Sequence, residues 1–356
     1  IGLIPGMPLL PFAALAIGLD AAVAEDVNVS GYNIRPVPAR EEAQTPGAER
    51  EAASDAYLDF LRAKVATAPD AGFEVAEEEV NPILLPHQRA IVRWAIRGGR
   101  RAIFAAFGLG KSVIQLEILR LTLKKLGKGR ALIIAPLGVR QEFARDAAML
   151  GIPLTFVRRS EDVSGSGLYI TNYESVRDGR LDPNLFGAVS LDEASVLRSF
   201  GSLTYQTFLT LFDALAYRFV ATATPSPNRF KELIHYAAFL GIMDSGQALT
   251  RFFQRNSEKA NDLTLYPHKE REFWLWLNSW AVFVQRPSDL GFSDEGYDLP
   301  ELTVHYHEVE SDHASAKTER NGQARMFRDA SLGLPDAAGE KRSSLAARGA
   351  KAAEIL

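Results

Sequence analysis

The sequence contains no cysteine, which excludes disulfides, thiolate zinc sites and cysteine nucleophiles and suits a reducing cytoplasm. An excess of one charge is lacking too: 40 Lys and Arg against 44 Asp and Glu leave a formal net charge of -4. Any nucleic-acid contact therefore has to come from local basic clusters, not from the overall field. Only one long uncharged run exists, residues 1–19, and it comes near the roughly 20 apolar residues that a membrane span needs. Pro5, Pro8 and Pro11 would break a helix there, and no Lys or Arg precedes the run as a signal peptide requires. No membrane contact is expected, and a cytoplasmic location is. No internal repeat is found.

What the chain does have is a core. Its 356 residues, 47% of them hydrophobic, suffice for one large domain with smaller elements beside it. Residues 20–56 are rich in Ala, Glu, Pro and Gly with little periodicity, the pattern of an arm or linker, and order is expected from about Tyr57. Short apolar runs at 102–107, 131–135, 168–171, 188–191 and 219–221 alternate with helical patterns such as 113–126. Runs apolar on both faces are what a parallel sheet covered by helices demands, so the expected fold is α/β, doubly wound. From 242 to 283 the pattern becomes helical and aromatic, and an appended helical subdomain is expected there. Phe273, Trp276 and Trp280 recur in it at helical spacing, which reads as a packing seam. Residues 343–356 read as a further helix.

Residues 105–112, AAFGLGKS, place a glycine turn between an apolar run and an amphipathic helix. Gly108, Leu109 and Gly110 would bring backbone amides and a helix N-terminus to a triphosphate, Lys111 would reach its β and γ phosphates, and Ser112 would ligate Mg2+. Eighty-one residues beyond Lys111, the apolar run 188–191 ends in Asp192 and Glu193. Adjacent carboxylates at the carboxyl end of a buried strand face the crevice where ligands sit in open α/β sheets. Asp192 would hold Mg2+, and Glu193 would orient and deprotonate an attacking water.

With these two motifs the chain, over about 84–233, resembles the helicases of superfamily two, of DEAD/DEAH type, and their Swi/Snf-like translocase relatives. Pro86-His87-Gln88 resembles the glutamine motif, which implies that Gln88 reads the adenine edge and that ATP is the nucleotide. Pro136 and Leu137 after Ala135, and Thr171-Asn172-Tyr173, resemble the motifs that touch the nucleic-acid backbone, with Arg140 placed to meet a phosphate. Thr222-Ala223-Thr224 resembles the motif coupling hydrolysis to strand movement. Ser195 stands where the family has His or Asp, so the resemblance does not supply the contact that joins that position to Thr222 and Thr224.

The resemblance implies an ATP- and Mg2+-dependent translocase on nucleic acid, DNA rather than RNA, with Lys111, Asp192 and Glu193 catalytic. It implies an arm over 1–56, a RecA-like ATP-binding domain over 57–240, an accessory region over 241–310 and a linker helix over 311–356. A second RecA-like domain carrying the arginine finger is expected beyond residue 356, leaving hydrolysis by this chain alone feeble. Two rival readings are a motor subunit serving a nuclease or methyltransferase partner in a restriction or mobile-element system, and a nonmotor module whose interface ATP switches.

Overall fold

A computed structural model of the chain describes residues 67–198, 201–226, 229–255, 263–297, 303–309, 341–342 and 344–355. The arm expected over 1–56 and the onset of order near Tyr57 lie outside the described residues. The chain divides into two compact units, Ile1–Tyr297 and Asp298–Leu356. In the second, helix α9 (Leu345–Ile355) falls within the expected stretch.

The first unit is built on a parallel sheet in the order β3-β4-β2-β5-β6-β1-β9. Its strands are β1 (Arg100–Ala105), β2 (Arg130–Ile134), β3 (Leu154–Phe156), β4 (Gly167–Thr171), β5 (Ala188–Asp192), β6 (Tyr217–Ala221) and β9 (Ala281–Val284). Two short strands, β7 (Phe253–Arg255) and β8 (Leu263–Leu265), form a separate antiparallel pair. Side chains alternate between the two faces of a strand, and the core divides accordingly. Ala102, Phe104, Leu132 and Ile134 enter one apolar cluster; Ile103, Ala105, Ala131 and Ile133 enter the other.

Helices α1 (Pro86–Gly98), α2 (Lys111–Leu126) and α3 (Arg140–Met149) cover the second face. The first is covered by α5 (Leu203–Leu211), α6 (Leu233–Leu240), α7 (Ser245–Phe252) and α8 (Glu270–Asn278), together with the short α4 (Tyr173–Arg177). This is the doubly wound α/β architecture. Pro86 opens α1, where its missing N–H costs nothing, and Gly99 closes it in the left-handed conformation, φ 68°.

The helical reading of 242–283 holds at 245–252 and 270–278 and fails at its end. Residues 270–278 are helical, but 281–284 form β9, which pairs with β1 from Ala102↔Ala281 to Ala105↔Val284. The end of that stretch therefore completes the sheet edge within the same compact unit. Four residues directly following a helical period announce no change of period, which hid the strand. The aromatic stripe is core: Phe252, Phe273, Trp274, Trp276 and Trp280 are buried, with Trp276 and Trp280 rings 5.3 Å apart. Burying each such side chain contributes about 2–3 kcal/mol.

Candidate active site

In a parallel sheet every strand ends on the same edge, and the loops there share a crevice. The loop after β1 and the carboxylates ending β5 flank the intervening strand β6. The strand expected over 102–107 stops at Ala105, so Phe107 stands in the loop, 72% exposed, and the helix begins at Lys111, two residues earlier than expected. Gly108 and Gly110 take φ of 86° and 76°, conformations that only glycine adopts without cost. A Cβ on Gly110 would also stand 2.4 Å from the Gln88 Nε2.

Gln88 braces this loop from beneath. Its Nε2 donates to the Leu109 carbonyl at 3.2 Å, and its Oε1 accepts from the Leu85 amide at 3.0 Å. The Lys111 ammonium folds back onto the loop, donating to the Ala105 and Ala106 carbonyls at 3.0 and 3.1 Å, and sits 5.0 Å from the centre of the Phe107 ring. Burial lowers the Lys111 pKa, and the charges of Asp192 and Glu193 oppose that shift. All three ionisable groups therefore feel one another across the crevice. Ser112 is half-buried in the first turn of α2.

Asp192 is buried, and its Oδ1 accepts from the Gln115 Nε2 at 2.8 Å. Gln115 is oriented in turn by the Ser190 hydroxyl, which donates to its Oε1 at 2.7 Å. Burial raises the Asp192 pKa, the Gln115 hydrogen bond lowers it, and the Glu193 charge raises it again. Glu193 has φ 46°, alone among the described non-glycine residues in being positive. That conformation costs about 1–2 kcal/mol, held here by contacts around it.

The Glu193 Oε1 accepts from the Thr222 hydroxyl at 3.1 Å and the Thr224 hydroxyl at 3.3 Å. Thr222 Oγ1 accepts from the Thr224 amide at 3.1 Å, which fixes the turn around Ala223. It is thus Glu193, and not Ser195, that meets Thr222 and Thr224. Ser195 donates to the Glu193 carbonyl at 3.4 Å.

The residues expected to meet nucleic acid divide. Leu137 is 53% exposed beside half-buried Pro136, and the exposed Arg140 guanidinium stacks 4.6 Å from the Phe156 ring centre. Asn172 is half-buried, its Nδ2 donating to Glu174 at 2.8 Å. Thr171 and Tyr173 need correction: they are 2% and 6% exposed, and the Tyr173 hydroxyl donates to the Asp192 carbonyl at 2.7 Å. Both side chains point into the core, and a motif read as three consecutive letters carries no face. Sequence reasoning also missed Gln115 and Ser190; the available signals were Gln115 in the apolar run of α2 and Ser190 in that of β5.

The donor set fits a magnesium-bound nucleotide: a carboxylate and a serine hydroxyl suit a hard cation, and an ammonium with a glycine turn at a helix N-terminus suits phosphates.

No family model matches the chain, and no curated protein matches it. Solved structures that resemble it include the SWI2/SNF2 ATPase core of Sulfolobus solfataricus in complex with dsDNA, at 16% identity over 59% of this chain and 46% of that one, TM-score 0.49. The UvsW helicase from Bacteriophage T4 is 16% identical over 44% and 58%, TM-score 0.35. The Hef helicase domain of Pyrococcus furiosus is 19% identical over 48% and 39%, TM-score 0.38. The chain spans less than two thirds of the length of each, and likenesses at this level carry no functional weight.

Proposed function

We propose that this chain is the ATP-binding first motor domain of a superfamily-two nucleic-acid translocase acting on DNA. One observation carries the reading. The Glu193 carboxylate, electrostatically linked to Lys111, accepts hydrogen bonds from Thr222 and Thr224, so a hydrolytic group and the loop after β6 share an oxygen.

On nucleotide binding, the Lys111 ammonium would leave the Ala105 and Ala106 carbonyls for the β and γ phosphates, which the Gly108–Gly110 amides cradle. Asp192 and Ser112 would hold Mg2+, whose charge offsets the negative charge on the phosphates. Glu193 orients the attacking water and takes its proton at a carboxylate oxygen. Neutralising that carboxylate weakens its hold on the Thr222 and Thr224 hydroxyls, which gives hydrolysis a route to the loop. For Gln88 to read adenine, its amide would exchange the Leu109 carbonyl for the base. An arginine finger would come from a second motor domain, and Pro136, Leu137, Arg140 and Asn172 offer the surface to the DNA backbone.

Fluorescence anisotropy with a short duplex and a single strand, with and without a magnesium-bound ATP analogue, tests this. The expected result is salt-sensitive binding whose affinity changes about five-fold or more with nucleotide, and a response lost in Thr222→Val. DNA affinity indifferent to nucleotide would leave the nonmotor switch as the better account.

A further inference from the structure

The Glu193 carboxylate lies where two loops meet, and neither loop is fixed by that contact alone. On the acidic side, the carbonyl of Asp192, at the peptide leading into the positive-φ residue Glu193, accepts the Tyr173 hydroxyl at 2.7 Å. On the threonine side, the carbonyl of Pro225, one residue beyond Thr224, accepts the Tyr236 hydroxyl at 3.1 Å. Both tyrosines are buried in the same apolar cluster. Tyr173 stacks on Phe208 at 5.7 Å and an interplanar angle of 21°, and Tyr236 packs edge-on against Phe104 of β1 at 5.2 Å. Each ring thus packs on an element outside both loops, Phe208 of α5 and Phe104 of β1.

We infer that Tyr173 and Tyr236 are positioning residues that together set where the Glu193 carboxylate stands relative to Thr222 and Thr224. The inference rests on the ATPase reading for its consequence, though not for its geometry. Most buried tyrosine hydroxyls have an acceptor, and Tyr169 supplies the contrast: its hydroxyl donates to the Ser164 carbonyl, before the start of β4 and away from the carboxyl edge. Tyr173 and Tyr236 instead end on the backbone of the two segments that share one carboxylate oxygen.

The experiment compares Tyr173→Phe, Tyr236→Phe and the control Tyr169→Phe in the full chain. Three quantities are read: amide exchange of the 190–198 segment without nucleotide, affinity for a magnesium-bound ATP analogue, and single-turnover hydrolysis with saturating DNA. Tyr173→Phe is expected to exchange faster at 192–195, to bind nucleotide within about two-fold of the parent, and to hydrolyse it about ten-fold more slowly. Tyr236→Phe shares the hydrolysis defect, and Tyr169→Phe shows neither change. Unchanged exchange in Tyr173→Phe, unaltered hydrolysis in both variants, or an equal loss in Tyr169→Phe would overturn the inference. If the parent hydrolyses ATP and loses that activity in Lys111→Ala while the tyrosine variants match the parent, the inference alone falls. A parent that binds no nucleotide overturns the ATPase reading, and the catalytic consequence with it.

Discussion

At the scale of single residues, several buried or half-buried polar groups have named partners. Asp192 has Gln115, Glu193 has two threonines, and His235 has the Tyr205 hydroxyl at 3.3 Å from its Nδ1. Burial pushes the His235 imidazole down to about 4, with Lys231 adding to the shift. A base whose pKa is depressed by folding costs the fold stability once it is charged. That cost is absent above the unfolded value near pH 6.5, grows as pH falls, and reaches about 3 kcal/mol below about pH 4. Urea unfolding of the parent and His235→Gln at about pH 7 and about pH 4.5 checks this. The parent should lose clearly more stability than the variant on acidification; equal losses would contradict the assignment.

The glycine turn before Lys111 and the acidic pair ending β5 are legible in sequence, because each follows an apolar run and the two together suit one chemistry. Gln115, Ser190 and the true roles of Thr171 and Tyr173 are not. Their function depends on which face of an element they occupy, and one letter does not carry a direction.

Among elements, the five central strands announce themselves as apolar runs bounded by Gly, Pro or charge, and their positions are right to within two residues. The edges are harder. Strands β3 and β9 have three and four residues, too few to establish a period of two, and they exist because a neighbour offers them hydrogen bonds. The same reliance on neighbours fixes the segment before α1. The amides of Ala71, Gly72 and Phe73 donate to the carbonyls of Gly98, Arg97 and Ile96 at 3.1, 2.9 and 3.2 Å, clamping that segment along the end of α1. A Cβ on Gly72 would stand 1.7 Å from the Ile96 carbonyl oxygen. Gly72→Ala is therefore expected to cost about 2–3 kcal/mol, a fall in melting temperature of roughly 5–10 °C. Gly138, where an added Cβ meets nothing within 4 Å, supplies the control: Gly138→Ala should melt with the parent. A Gly72→Ala protein as stable as the parent would mean that the clamp is not closed in solution.

For the molecule as a whole, the sheet order does what no motif can do alone. It carries the loop after β1 and the carboxylates after β5 to one edge with only β6 between them, so sites 81 residues apart in sequence become one crevice. The threonines after β6 then fall between the two, which is why Thr222 and Thr224 reach the Glu193 carboxylate. Under the proposed function, this crevice takes the terminal phosphates of a nucleotide with a divalent ion. Isothermal titration of the full chain with a nonhydrolysable ATP analogue, in magnesium and in its absence, tests it most directly. The expected result is magnesium-dependent binding that is lost in Lys111→Ala, weakened in Asp192→Asn and retained in Glu193→Gln. Binding that survives Lys111→Ala, or no binding by the parent, would contradict it.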